Sequence, residues 1–113
     1  MTDESRELID EQSYSWLEMH KKSALSFLVL SALEKEPMWS KDLTQWITRT
    51  TGWTITEKGL YRVLRRMQKQ GNIIFSLEAA ARTGAERKVY QVTPEGKALL
   101  VIMRGELAYI EKV

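Results

Sequence analysis

The sequence predicts a mainly α-helical domain with one β-hairpin. Three observations predict it. Apolar residues recur at helical spacing in four separate stretches. Two short β-prone runs, Asn72 to Leu77 and Arg87 to Val92, lie close together near the C-terminal third. Helix-start and helix-stop residues punctuate the chain between them. The order helix, helix, helix, hairpin, helix is that of a winged helix-turn-helix with a long C-terminal helix. The expected organisation is an acidic N-terminal arm or helix over 1–20, a winged-helix domain over 21–93 and a dimerisation helix over 94–113.

Each element has a local cause. Residues 1–20 hold six acids (Asp3, Glu4, Glu7, Asp10, Glu11, Glu18) against Arg6 alone, a net of −5. Tyr14, Trp16, Leu17 and Met19 give this segment an apolar cluster that needs a surface, on the domain itself or on a partner subunit. From Lys21 to Lys35, Leu25, Leu28, Val29, Ala32 and Leu33 share one helical face. Phe27 and Leu30 widen it, so this helix is expected at the centre of the core. Pro37 stops it, because the residue before a proline disfavours helical backbone. Ser40 is expected to cap the second helix, with Asp42 in its first turn. Leu43, Trp46 and Ile47 form the buried side, and Gly52 ends it.

Trp53-Thr54-Ile55 reads as an extended link. Thr56 then caps a third helix, Glu57 to about Gln70, closed by Gly71. The two β-prone runs follow as a hairpin, with Glu78 to Glu86 as a long turn-rich tip. Thr93-Pro94-Glu95 starts the last helix, with Thr at the cap and Pro at the first helical position. Along it Leu99, Ile102, Met103, Leu107 and Ile110 make an apolar stripe. That stripe exceeds what one small domain needs to cover, and it predicts a homodimer.

The third helix is the most informative segment. Leu60, Val63, Leu64 and Met67 form its apolar side. Lys58, Arg62, Arg65 and Lys69 follow at steps of four, three and four on the other side, with Arg66 beside them and Tyr61 at the edge. After Glu57 the helix has no acid, so no pairing along it neutralises the row. Between 57 and 90 eight basic residues face three acids, while the whole chain carries only +2. Phosphates suit such a row, and arginine also reads guanine bidentately in the major groove. Arg82 near the hairpin tip and Arg87 and Lys88 on the returning strand would extend the footprint to the adjacent backbone or minor groove. Double-stranded DNA is the expected partner.

Other classes are weaker. There is no cysteine, so disulfides and thiolate metal sites are excluded. His20, the only histidine, has no carboxylate pair at metal spacing and is expected as a surface residue at a helix start. No nucleophile triad, paired-acid or glycine-rich phosphate motif is present, so neither an enzyme nor a bound cofactor is expected. Four tryptophans suggest an aromatic effector pocket or simple core filling. Core filling is favoured, with Trp39, Trp46 and Trp53 bracketing the second helix. The longest apolar stretch, Ala24 to Leu33, is about half of what a membrane span requires. A cytoplasmic protein without membrane contact is expected. A winged helix can also serve as a protein-interaction module, but such a module has no need of the uncompensated cation row.

The segment Leu60-Tyr61-Arg62-Val63-Leu64-Arg65-Arg66-Met67-Gln68-Lys69-Gln70-Gly71-Asn72-Ile73 resembles the "LY..L..LE..G.I" pattern of PadR-type transcriptional regulators. Arg87-Lys88-Val89-Tyr90-Gln91-Val92-Thr93-Pro94-Glu95-Gly96 resembles their "R+.Y.+T..G" wing-to-helix segment, and Ala24 to Leu33 their first helix. The resemblance implies a homodimeric repressor on a two-fold-related operator, paired through the C-terminal helix. It places the DNA face on Thr56, Lys58, Tyr61, Arg62 and Arg65, with the wing at Arg87 and Lys88. Some members of that family respond to small aromatic ligands, so an effector is a further implied partner. This chain departs from the family at Trp39-Ser40, where a Gly-Tyr pair is common. Its C-terminal helix lacks tryptophan and offers only Tyr109, which argues against a ligand held between indoles. Its wing linker is long and alanine-rich at Ala79-Ala80-Ala81.

Overall fold

One helix, α1, runs without a break from Asp3 to Lys35. The structure is a computed structural model that describes residues 1–113. After α1 come β1 (Met38–Trp39), α2 (Ser40–Thr51), α3 (Glu57–Lys69), β2 (Ile73–Ala79), β3 (Glu86–Val92) and α4 (Pro94–Glu111). The strands form one antiparallel sheet in the order β1-β3-β2. The architecture is the winged helix expected from the pattern, with a third short strand added.

The first helix begins much earlier than its apolar stripe suggests. Thr2 caps it by accepting from the Ser5 amide at 3.1 Å, and Asp3 and Glu4 in the first turn complement the helix dipole. Only the inner half has a buried face, formed by Leu25, Leu28, Val29, Ala32 and Leu33. The outer half stands clear of the core. At about 1.5 Å per residue α1 accounts for most of the molecule's 58 Å long axis. No break separates residues 1–20 from the helix that follows. His20 therefore lies inside α1, not at a helix start. Its ring stacks on Trp16 at 5.1 Å and meets the edge of Trp53 at 5.5 Å.

Pro37 ends α1 as expected, with Glu36 already extended (φ −166°, ψ 158°). The chain then pairs with β3, Met38 opposite Tyr90 and Trp39 opposite Val89. This strand changes the start of α2. Trp39 occupies the cap position without a side-chain bond, and Ser40 is the first helical residue instead of the cap. Gly52 closes α2 in left-handed backbone, its amide donating to the Thr48 carbonyl. Thr48 and Thr51 then pin the link to α3 through Trp53, whose carbonyl and amide they engage at 2.9 and 3.0 Å.

Thr56 caps α3 by accepting from the Gly59 amide at 3.0 Å. Leu60, Leu64 and Met67 are buried beneath it against Leu30, Leu43 and Ile47. The hairpin strands pair from Ile73–Val92 to Ala79–Glu86. Glu78 and Glu86 thus belong to the strands, and the tip is shorter than the sequence suggests. Ala80 and Ala85 close it with a 2.8 Å backbone bond.

The wing is fixed to α4 by backbone contacts. The Thr93 hydroxyl donates to the Gly71 carbonyl at 2.6 Å and accepts from the Gly96 amide, while the Thr93 amide donates to the Asn72 carbonyl. Gly96 is required there, because a Cβ would meet the Asn72 carbonyl oxygen at 2.1 Å. Leu100, absent from the expected stripe, is the fully buried residue of α4. Leu99 and Met103 pack half-buried on this same core, so only part of the expected dimer stripe is free. Ile102 and Ile110 are 62% and 68% exposed. Arg104 holds α4 to α1 through a two-pronged bond with Glu34 at 2.9 and 3.1 Å.

Candidate nucleic-acid interface

The buried face of α3 decides which of its side chains reach solvent. With Leu60, Leu64 and Met67 turned inward, Lys58, Arg62, Arg65, Arg66 and Lys69 are all exposed. None of them is ion-paired. The salt bridges of the molecule are Lys21–Glu18 and Arg104–Glu34, both away from α3. Arg62, Arg65, Arg66 and Lys69 line one shallow depression without a carboxylate. The uncompensated row expected from the sequence is present as a continuous surface.

Thr56 stands at the start of this row. Its hydroxyl oxygen is committed to the cap, which leaves its proton available as a donor. Tyr61, 47% exposed, sits at the edge next to the wing. There Lys88 crosses from β3 and donates to the Tyr61 hydroxyl at 3.2 Å. Its ammonium lies 4.6 Å from the centre of the Phe75 ring and 5.4 Å from that of Tyr61. Lys88 therefore joins the wing to α3.

Arg87 does not join this surface. Successive side chains on a strand point to opposite faces, so Arg87 faces away from α3 when Lys88 faces it. Its guanidinium lies over the Trp39 ring at 4.4 Å, with its Nε buried and without a partner. Asp42 and Glu78 line the same recess. Arg82 lies exposed in the tip, displaced from α3 along the wing. Lys58, Arg62, Arg65, Arg66 and Lys69 thus share one side of α3, which Tyr61 and Lys88 join to the wing, whereas Thr56 borders a recess with Glu18, Lys21 and Lys22 of α1. Arg87 belongs to the other side of the wing.

Two residues of this face are not evident from charge or spacing. Phe75 and Tyr90 are paired across β2 and β3, with ring centres 6.0 Å apart. They form the floor beneath Lys88. The tryptophans divide their roles. Trp46 and Trp53 pack on the core, Trp39 carries Arg87, and Trp16 stays 65% exposed on α1.

A three-helix core, a wing and a cationic third helix define a winged helix-turn-helix protein. Residues 29–101 match the transcriptional regulator PadR-like family, and the chain belongs to that family. It is a transcriptional regulator. Among solved structures, a PadR family transcriptional regulator from Eggerthella lenta is similar with a TM-score of 0.79 and 25% identity, over 93% of this chain and 90% of that one. A PadR family regulator from Clostridium difficile has 28% identity and a TM-score of 0.71, over 79% and 92%. Bacillus subtilis PadR, solved in complex with operator DNA, has 24% identity and a TM-score of 0.64, over 71% of this chain and 45% of that one. No curated protein matches the chain. No helix is long and apolar enough to cross a membrane.

Proposed function

We propose that the protein is a cytoplasmic repressor that binds two-fold-related operator DNA as a homodimer. The observation that carries this reading is the α3 face, with five exposed cations and no ion pair among them. In this reading α3 enters the major groove. Arg62 and Arg65 reach base edges, and Lys58, Arg66 and Lys69 neutralise phosphates. Lys88 brings the wing to the backbone beside the groove. The solved complex of Bacillus subtilis PadR with operator DNA shares this fold. The reading calls on no cofactor and no catalytic group.

The dimer rests on a second observation. The far half of α4 exposes Ile102, Leu107, Tyr109 and Ile110, and the outer half of α1 exposes Tyr14, Trp16 and Met19. These apolar surfaces stay largely exposed, Trp16 included although it stacks on His20, and together they suit a second copy. A two-fold axis between the copies would set two α3 helices on half-sites about one helical turn apart.

Selection of bound sequences from a random duplex pool tests the reading, with the Arg62→Ala, Arg65→Ala double variant in parallel. An enriched two-fold-symmetric motif that the double variant fails to enrich is the expected result. No enrichment by the unaltered protein would overturn operator binding and favour a protein-interaction module or an effector-dependent repressor.

A further inference from the structure

On the side of the wing turned away from α3, a recess of about 350 Å³ opens between β1, the first turn of α2 and the strands of the hairpin. Strand β1 ends at Trp39, so β3 has no neighbour on that flank beyond Val89. Pro37, Met38 and Val89 give the recess an apolar wall.

Three charged side chains line it as well, and none of them has an ion partner. Arg87 is half-buried, with its guanidinium over the Trp39 ring. Its cross-strand neighbour is Glu78, yet the two form no ion pair. The indole face holds the cation instead. Nε is buried without a partner, which leaves the two terminal nitrogens as the end of the fork that can still bind. Asp42, in the first turn of α2, is exposed and unpaired. The Glu78 carboxylate accepts from the Ser76 hydroxyl at 3.4 Å.

An occupant that suits this set carries both signs of charge. A carboxylate alone satisfies Arg87 but meets Asp42 and Glu78. A cation alone satisfies the two acids but meets Arg87. Arginine grips a carboxylate with two parallel bonds in fixed geometry. Trp39 already orients the guanidinium, so binding costs it little further side-chain freedom. An ammonium has three donors, enough for both acids.

We propose that this recess binds a small zwitterion of the α-amino acid class, its carboxylate on Arg87, its ammonium shared by Asp42 and Glu78, and its side chain against Met38 and Val89. The volume leaves room for an aliphatic side chain. The occupant ties the first turn of α2 to both strands of the wing. The site uses no residue of the cationic α3 row.

The test uses the full chain and NMR. The Trp39 indole resonance, assigned by its loss in Trp39→Phe, reports occupancy. L-leucine should shift it saturably, and glycine, the bare zwitterion, should do so at higher concentration. Isocaproate lacks the ammonium and isoamylamine lacks the carboxylate. Each should bind at least about tenfold more weakly than L-leucine. Arg87→Gln should weaken L-leucine by at least about tenfold and leave isoamylamine no weaker. Asp42→Asn should weaken both. The Trp46 and Trp53 resonances, from residues packed on the core, should keep their positions in each variant. Asp42 is exposed, so Asp42→Asn decides even where Arg87→Gln disturbs the fold.

A Trp39 resonance unmoved by both L-leucine and glycine up to their solubility would overturn the site. Isoamylamine binding as tightly as L-leucine would reduce it to a cation site, and isocaproate doing so would reduce it to an anion site. Either result overturns the zwitterion. L-leucine affinity unchanged in Asp42→Asn and Arg87→Gln would place the ligand elsewhere. No DNA enters these measurements, so they hold whether or not the operator reading does.

Discussion

The α3–wing face and the apolar surfaces on the outer half of α1 and the far half of α4 are all exposed, and they expose opposite chemistry. The first presents cations without acids, over a helix whose other side is fully committed to the core. The second presents large apolar side chains beside acids. Cations left unpaired cost little in water and gain when they displace the counterions condensed on a polyanion. Apolar side chains left in water gain only when another apolar surface covers them. One small chain thus carries a surface suited to a polyanion and a surface suited to itself, at separate places.

The largest expected effect breaks the second surface. Ile102→Glu with Ile110→Glu puts four carboxylates into the proposed two-fold contact. Each buried isoleucine is worth about 1.5–3 kcal/mol of transfer free energy and the two-fold contact loses four of them, so dimerisation should weaken by at least about four orders of magnitude. Sedimentation would show a folded monomer at micromolar concentration. An unchanged dimer would place the contact elsewhere.

The next breaks the first surface. Arg62→Ala with Arg65→Ala should lower affinity for the selected duplex by about two orders of magnitude, given about 1–3 kcal/mol for each good bidentate contact. The sedimentation behaviour should not change, because neither residue lies near α4. If both variants lost DNA binding and dimerisation together, the two surfaces would not be separate.

A smaller effect sharpens how the cationic face is held. Thr56→Ala removes the hydroxyl that accepts from the Gly59 amide. Caps of this kind contribute about 1 kcal/mol, which urea unfolding would register. Thr56→Ser keeps the capping hydroxyl and should restore both stability and binding. Restored stability without restored binding would assign the Thr56 methyl a contact of its own.

The two regions differ equally in how far the sequence reveals them. In α3 the apolar period, the Thr56 cap and Gly71 point to one answer, and its borders and both faces agree with the structure. The outer half of α1 has no buried face, so it carries no period. Tyr14, Trp16 and Met19 look like an isolated cluster, although they continue a helix capped at Thr2. In α4 the stripe is readable, but only the core shows that Leu100 is the innermost residue and that Leu99 and Met103 are half used up. β1 has two residues, too few for any periodicity. The placement of Arg87 was legible from strand alternation, since neighbours on a strand cannot serve one face. The Phe75–Tyr90 pair was not, because it depends on the register across the hairpin.

The smallest effect falls between the two regions. Arg104 ties α4 to the inner half of α1 at Glu34. The Arg104 hydrogen bond holds the Glu34 carboxyl below its ordinary range, and the same bond raises Arg104. A carboxylate depressed in the folded state contributes stability above its unfolded pKa, and that contribution is lost as pH falls through the folded value. The pair is exposed, so the contribution is small at any pH and shrinks further in salt. Arg104→Ala should bring Glu34 back towards its ordinary range in an NMR titration and remove that acid-side dependence, with duplex affinity near neutral pH unchanged. Loss of DNA binding in Arg104→Ala would mean that the angle between α1 and α4 sets the spacing of the two recognition helices, and the apolar surfaces and the cationic face would then act as one device.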